Sequence, residues 1–259
     1  MRFSLGLAAG VGVIVALAVA ALAQAPPPGG YLSGHVPDTV AVVPQAPTPG
    51  SLRDLNDRAI FKATRSLQGS PRWALAQNDV DLRIPSVLSD FSCAAGVTLT
   101  EQNAPALVSI LRRLYPDLQA AYGAPKDLYR RPRPYMRDDG PICTPRSKAL
   151  DESFDYPSGH ATFAWTYGLI LAELIPDRAG PILQRARAFG ESRAVCGVHS
   201  ASAVSEARTA AATLVAALHA SPEFEGDLRA ARAQLATIRQ APAPGVCSAE
   251  QALTARTPW

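Results

Sequence analysis

From Ser51 onward the apolar residues recur at helical spacing, and nowhere do they alternate with the two-residue rhythm of a half-buried strand. Leu107, Ile110, Leu111, Leu114 and Leu118 fall on one helical face, and Phe224, Leu228, Ala231, Leu235 and Ile238 repeat at 4-3-4-3. Such stripes are stable only against other helices, so the pattern predicts an all-α fold, a helical bundle in a single domain. Start signals agree. Ser51-x-x-Asp54 is a capping pattern, Asn103 precedes a proline at a first turn, and Ser221-Pro222 opens the last long stripe. Helices are expected over residues 51–67, 73–79, from 103 onward, over 160–174, 179–190, within 191–220, and from 221. The proline-rich residues 122–155 read as loop.

Residues 1–23 have the form of an export signal. Arg2 is the charged start, Leu5 to Leu22 the apolar run, and Ala21-Leu22-Ala23 a small-x-small cleavage site. Residues 24–50, rich in Pro and Gly, are expected to be an extended arm, and residues 51–259 the folded domain. No later run is long and apolar enough to span a bilayer, so the mature chain is expected in the periplasm of a bacterium or secreted, without a membrane anchor. Export permits disulfides. Cys93, Cys143, Cys196 and Cys247 allow three pairings, among which the sequence does not choose. A net charge of +3 argues against a nucleic-acid surface and is compatible with a small anionic substrate.

Three short segments carry the chemistry. Tyr156-Pro157-Ser158-Gly159-His160 is a turn running into a helix, where free N–H groups and the positive end of the helix dipole suit an oxyanion. Lys126 is followed after six residues by Arg133-Pro134, and Ser192-Arg193 after five residues by His199. Together they offer three cations and two of the chain's four histidines. Fixed cations and N–H donors converging on one spot suit an oxyanion, beside imidazoles able to give or take a proton near neutral pH. Arginine matches phosphate with a planar fork, lysine acts as a point charge, and histidine can serve as nucleophile or acid. No carboxylate–histidine cluster at metal spacing is present, and no Cys-x-x-Cys pair. Arg130 and Arg131 read as solvated charges on the loop.

In their order, Lys-x6-Arg-Pro, Pro-Ser-Gly-His and Ser-Arg-x5-His resemble the signature of the phosphatidic acid phosphatase type 2 superfamily. The chain is most similar within it to the class A bacterial non-specific acid phosphatases, a likeness extended by Phe91-Ser92-Cys93, Leu171-Ala172-Glu173 and the run from Gly190 to Gly197. The resemblance implies a metal-independent phosphatase of broad specificity on phosphate monoesters, without cofactor, working through a phosphohistidine. It implies His199 as nucleophile, His160 as acid, and Lys126, Arg133 and Arg193 as phosphate ligands, with Ser158 and Gly159 completing the pocket. Substrate and product are then a small phosphate monoester and inorganic phosphate; self-association is left open. Two other activities fit the same motifs: a vanadate-dependent haloperoxidase-like enzyme, and a phosphate-binding protein that has lost turnover.

One position departs from the family pattern. The aspartate expected four residues after the nucleophilic histidine, where it orients the ring, is Ala203 here. The sequence offers three replacements: Ser202, a backbone carbonyl from a neighbouring loop, or Glu206 farther along the helix. A weakened enzyme is the expectation.

Overall fold

The computed structural model describes residues 29–259, so residues 1–23, expected to be an export signal, and the first residues of the expected arm lie outside the described part. The fold is all-helical, with no strand among the described residues. Ten α-helices follow in order: α1 Leu52–Arg65, α2 Pro71–Asn78, α3 Ile84–Ala95, α4 Pro105–Tyr129, α5 Lys148–Glu152, α6 Gly159–Leu174, α7 Ala179–Val195, α8 Ala201–Leu218, α9 Pro222–Leu235 and α10 Pro244–Thr254. None of the helices among the described residues is long and apolar enough to cross a membrane.

Helix α6 is the centre of the bundle. Ala161, Ala164, Tyr167, Ile170, Leu171 and Leu174 are all buried, and α4, α7 and α8 pack around it. Gly168 lets α7 approach closely at Ala186. The main core joins α3, α4, α6, α7, α8 and α9, with Phe91 edge-on to Tyr167 at 4.6 Å between ring centroids. A second, smaller cluster of Phe61, Trp73, Tyr135, Val195 and Val198 underlies the long loop between α4 and α6.

Ser51 and Ser221 start helices where the sequence places them, and three other serines cap helices as well. Ser51, Ser70, Ser158, Ser200 and Ser221 each cap a helix by accepting a backbone N–H. Asn103 does not. Its side chain closes the preceding turn, accepting from Thr100 N at 2.9 Å and donating to Thr98 O at 2.8 Å, and α4 begins after Ala104. Helices α3, α5 and α10 had no counterpart in the sequence reading.

The larger difference is α4, which continues through Pro116 and Pro125 to Tyr129, into the segment expected to be loop. Each proline removes an i→i−4 hydrogen bond. Pro116 is exposed, so the carbonyl it orphans can be solvated. Pro125 is buried, and the carbonyl it orphans, that of Ala121, accepts instead from Thr39 Oγ1 at 2.7 Å. The arm before α1 thus supplies the missing donor. This extra turn carries Lys126.

Two disulfides use all four cysteines: Cys93–Cys247 ties α3 to α10, and Cys143–Cys196 ties the long loop to the residue that ends α7.

Candidate active site

The three sequence segments converge where the N-terminus of α6, the C-terminus of α7 and the end of α4 meet. Ser158 is fully buried and caps α6: its Oγ accepts from Ala161 N and its carbonyl from Thr162 N. Its own N–H donates to the Ala203 carbonyl at 3.0 Å, which fastens the turn to the first turn of α8. Gly159 and His160 then occupy the first helical positions, where backbone N–H groups have no partner within the helix. A Cβ on Gly159 would come within 3.1 Å of the Tyr122 ring, so the glycine leaves room for this aromatic wall.

Arg193 lies in the last turn of α7 and is only 3% exposed. Its Nε and Nη1 have no hydrogen-bond acceptor among the described residues. Burial, with Arg133 nearby, pushes its pKa down to about 10. The preceding Ser192 is pinned: its Oγ lies 2.5 Å from Asp79 Oδ2 and accepts from Arg72 Nη1 at 2.9 Å. Asp79 in turn forks onto Arg185 Nη1 and Nη2 at 3.2 and 2.6 Å. Neither Asp79 nor Arg72 was singled out in the sequence, because their partners lie more than 100 residues away in the chain.

Arg133 follows α4 on the loop. Its Nε donates to the carbonyls of Ser153 and Leu150 at 2.7 and 3.0 Å, and its Nη1 to Val198 O at 2.6 Å. The same Nη1 is 3.0 Å from His199 Nε2. Lys126 donates from Nζ to Phe154 O at 2.6 Å. Burial, then the neighbouring Arg133, lowers its pKa to about 8.

Both histidines are held well below the ordinary imidazole value. For His199 the cause is burial, followed by the charges of Arg133, Lys126 and Arg193; for His160 it is burial, then Arg193. The charges of Arg133 and Arg193 act on both rings, and that of Lys126 on His199. The tautomers follow from the partners. His160 Nε2 is 3.1 Å from Val80 O, which can only accept, so Nε2 carries a proton. His199 Nδ1 faces the Asp155 carbonyl at 2.6 Å and so carries its proton, while its Nε2 faces an arginine N–H and presents its lone pair.

Two expectations are corrected here. Arg131 is not solvated; it is 6% exposed and anchors a buried network. Its Nη2 meets Asp54 at 2.9 Å, and its Nη1 meets Asp57 at 2.8 Å and Asp155 at 3.2 Å, with Ser200 and Ser202 hydroxyls beside it. Only Arg130 fits the surface reading, exposed with its guanidinium 5.0 Å from the Phe154 ring centroid. Glu206 does not reach His199. It pairs with Arg53 at 2.7 Å and accepts from Thr209. The helical stripe invoked for it fails because His199 precedes α8: Ser200 is the cap, in extended conformation. Ser202 likewise turns away, its hydroxyl on Asp57 at 2.6 Å.

Among the described residues no group of three or more His, Cys, Asp or Glu side chains could hold a metal ion. What the site can hold is an anion with several oxygens: unpaired guanidinium N–H groups, a lysine, and helix N-terminal amides surround a neutral imidazole.

The model of the PAP2 superfamily matches residues 105–226 of this chain, from the start of α4 into α9. Among curated proteins the chain is 41% identical over 218 residues to an acid phosphatase of Zymomonas mobilis subsp. mobilis, covering 83% of each chain. It is 34% identical over 205 residues to a non-specific acid phosphatase of Providencia stuartii, covering 78% of this chain and 83% of that one. A non-specific acid phosphatase of Salmonella typhimurium is 30% identical over 181 residues, 69% of this chain and 72% of the relative. The matched span includes the lysine, both arginines and both histidines converging at the site. With an all-helical fold and relatives matched over more than two thirds of both chains at this identity, the chain belongs to the PAP2 superfamily.

Proposed function

We propose that the protein is an exported acid phosphatase that hydrolyses small phosphate monoesters without a metal, through a phosphohistidine on His199. The observation that carries this reading is Arg193: a guanidinium nearly out of contact with solvent, beside both histidines, with two N–H groups lacking an acceptor. A buried donor left unpaired costs roughly 1–3 kcal/mol, more when charged, so such a group is expected where a ligand supplies the acceptor. The names of the relatives support a phosphoryl group as that ligand.

In the reaction the phosphate would sit among Lys126, Arg133, Arg193 and the N–H groups of Gly159 and His160, with Ser158 holding the turn. His199 Nε2 attacks phosphorus in line; the P–N bond forms as the ester P–O bond breaks. His160, made imidazolium by the proton that the phosphate monoanion brings, gives that proton to the departing oxygen. Because its Nε2–H is engaged by Val80 O, the proton free to leave is the one on Nδ1. Water then attacks phosphorus as the P–N bond breaks and its electron pair returns to His199 Nε2, neutral His160 accepts a proton from the water, and phosphate departs.

The two disulfides support export to an oxidising compartment, the periplasm or the medium. Broad specificity is supported by the relatives named non-specific.

The deciding experiment is hydrolysis of p-nitrophenyl phosphate by the purified mature protein in excess chelator, with acid-quenched trapping of an acid-labile, base-stable phosphoenzyme. Turnover with a trapped phosphohistidine that is lost in His199→Ala is the expected result. Loss of activity under chelator with recovery on added zinc or magnesium would reject the mechanism.

A further inference from the structure

We propose that Asp155 is the positioning residue of His199, so that the orienting carboxylate of this chain sits beside the Pro-Ser-Gly-His turn rather than on α8; the inference rests on His199 being the nucleophile of the phosphatase proposed above.

Position 203, four residues beyond His199, has no carboxylate to offer. Ala203 is fully buried in an apolar cluster with Val43, Tyr156 and Ala210, and its carbonyl is committed to Ser158 N. The His199 ring nevertheless has a complete set of partners on the Nδ1 side. The Asp155 main-chain carbonyl is 2.6 Å away, and the Asp155 carboxylate Oδ1 is 3.2 Å away. One residue therefore presents two acceptors to one N–H, from a position 44 residues before the histidine. The carbonyl fixes the tautomer. The carboxylate adds what a carbonyl cannot, a full negative charge beside a ring that becomes cationic when phosphorus bonds to Nε2.

The carboxylate is held as rigidly as a positioning group requires. Oδ1 accepts from Ser200 N at 2.9 Å, and Oδ2 from Ser200 Oγ at 2.6 Å and Arg131 Nη1 at 3.2 Å. The Asp155 N–H donates to Arg131 O at 2.8 Å, so its backbone is fixed as well. Arg131 cannot drift, because Asp54 and Asp57 hold its other contacts. Burial pushes the Asp155 carboxyl up, and Arg131 and Ser200 oppose that shift. The arrangement explains why a chain with Ala203 also buries Arg131, and why Ser200 both caps α8 and faces Asp155.

The test uses full-length mature protein with p-nitrophenyl phosphate and inorganic phosphate as probes. Wild-type hydrolysis is read first. Its absence overturns the phosphatase assignment itself. Given turnover, Asp155→Asn, which keeps shape and leaves Arg131 its other two aspartates, is expected to lower kcat by at least about tenfold. The reference is the larger loss, about 10⁴, seen when the orienting aspartate of a serine protease triad is neutralised; here the carbonyl remains. KM and the inhibition constant for inorganic phosphate are expected to stay within about threefold, since the phosphate ligands are untouched. Nitrogen-15 spectra of His199 should keep one tautomer, fixed by the remaining carbonyl, with the Nδ1 resonance shifted by loss of the charged acceptor. An Asp155→Asn enzyme with wild-type kcat and an unchanged His199 spectrum overturns the proposal. Should that variant not fold, Ser200→Ala loosens the same carboxylate. A severalfold loss of kcat at constant KM then supports the role, and an unaltered kcat overturns it.

Discussion

Arg133 Nη1 aims its N–H at Nε2 of His199 from 3.0 Å, while Nε of the same guanidinium is fastened to the Ser153 and Leu150 carbonyls. The lone pair proposed to attack phosphorus is thus covered by a donor that must turn to a phosphate oxygen as substrate enters. Arg133 both restrains the nucleophile and forms one wall of its target. Lysine could supply the charge, but not the fork that holds carbonyls on one side and phosphate on the other. Arg133→Lys is expected to lower kcat/KM by roughly 10²–10³, comparable to losing one transition-state donor elsewhere. Steady-state kinetics check this; a loss under about threefold would remove Arg133 from the transition state.

His160 has its Nε2 proton engaged by the Val80 carbonyl, so its role depends on a second proton at Nδ1. That proton matters most when the leaving oxygen is strongly basic. His160→Ala is expected to slow alkyl phosphates at least about tenfold more than p-nitrophenyl phosphate, whose leaving group needs little protonation. Equal losses on aryl and alkyl esters would contradict the assignment.

Two imidazoles near their ordinary value would place the optimum at about pH 5–6.5. In the structure both are lowered, His160 by burial and Arg193, His199 by burial and Arg133. For His199 this lowering favours the neutral form that attack through Nε2 requires. The free enzyme lacks the His160 proton near neutrality, so the proton must arrive with the substrate as the phosphate monoanion, whose ionisation lies near pH 6. kcat/KM should therefore fall as pH rises through about 6. It should fall again through about 8, where Lys126, lowered by burial and Arg133, loses its charge. In Lys126→Arg the second fall should vanish, since arginine does not titrate there. A wild-type profile still rising above about pH 8 sinks this account.

What was legible in the sequence had short reach. The motif residues could be read because each carries its chemistry within a few positions, as in the Ser158 cap two residues before His160. The partners of those residues could not. Asp155 belongs to no recognisable spacing with His199, and only the meeting of the loop with the start of α8 brings them together. Arg131 looked solvated because its neighbour Arg130 is; nothing local reveals Asp54 and Asp57 on α1 as its acceptors. The extension of α4 past Pro125 depends on a donor from Thr39, again a tertiary fact. Ala203 was visible as a missing carboxylate, but its replacement was sought along α8, on the premise of a continuous helix that Ser200 interrupts.

A final prediction concerns how tightly the frame around the site is set. Gly168 lies mid-way along α6, and a Cβ there would overlap the Cβ of Ala186 on α7. Two opposing terms decide the outcome of Gly168→Ala. Replacing glycine inside a helix gains up to about 1 kcal/mol through propensity. Overpacking a filled core costs about 1–3 kcal/mol. Here the cost should win, because both clashing atoms are fixed to backbone and no rotamer change relieves them; the helices must separate. A net destabilisation of about 1–2 kcal/mol is expected, read as a lower denaturation midpoint with an unchanged slope. Separation also has a functional consequence, since α6 carries His160 at its start and α7 carries Arg193 near its end. kcat/KM should fall along with stability. Ala186→Gly removes the opposing Cβ and, combined with Gly168→Ala, should recover most of both losses. The double-mutant cycle then gives a favourable coupling of at least about 1 kcal/mol, outside the range of independent sites. A Gly168→Ala protein as stable as wild type, or a double variant that shows only the sum of the single effects, would mean that the two helices do not meet at this pair.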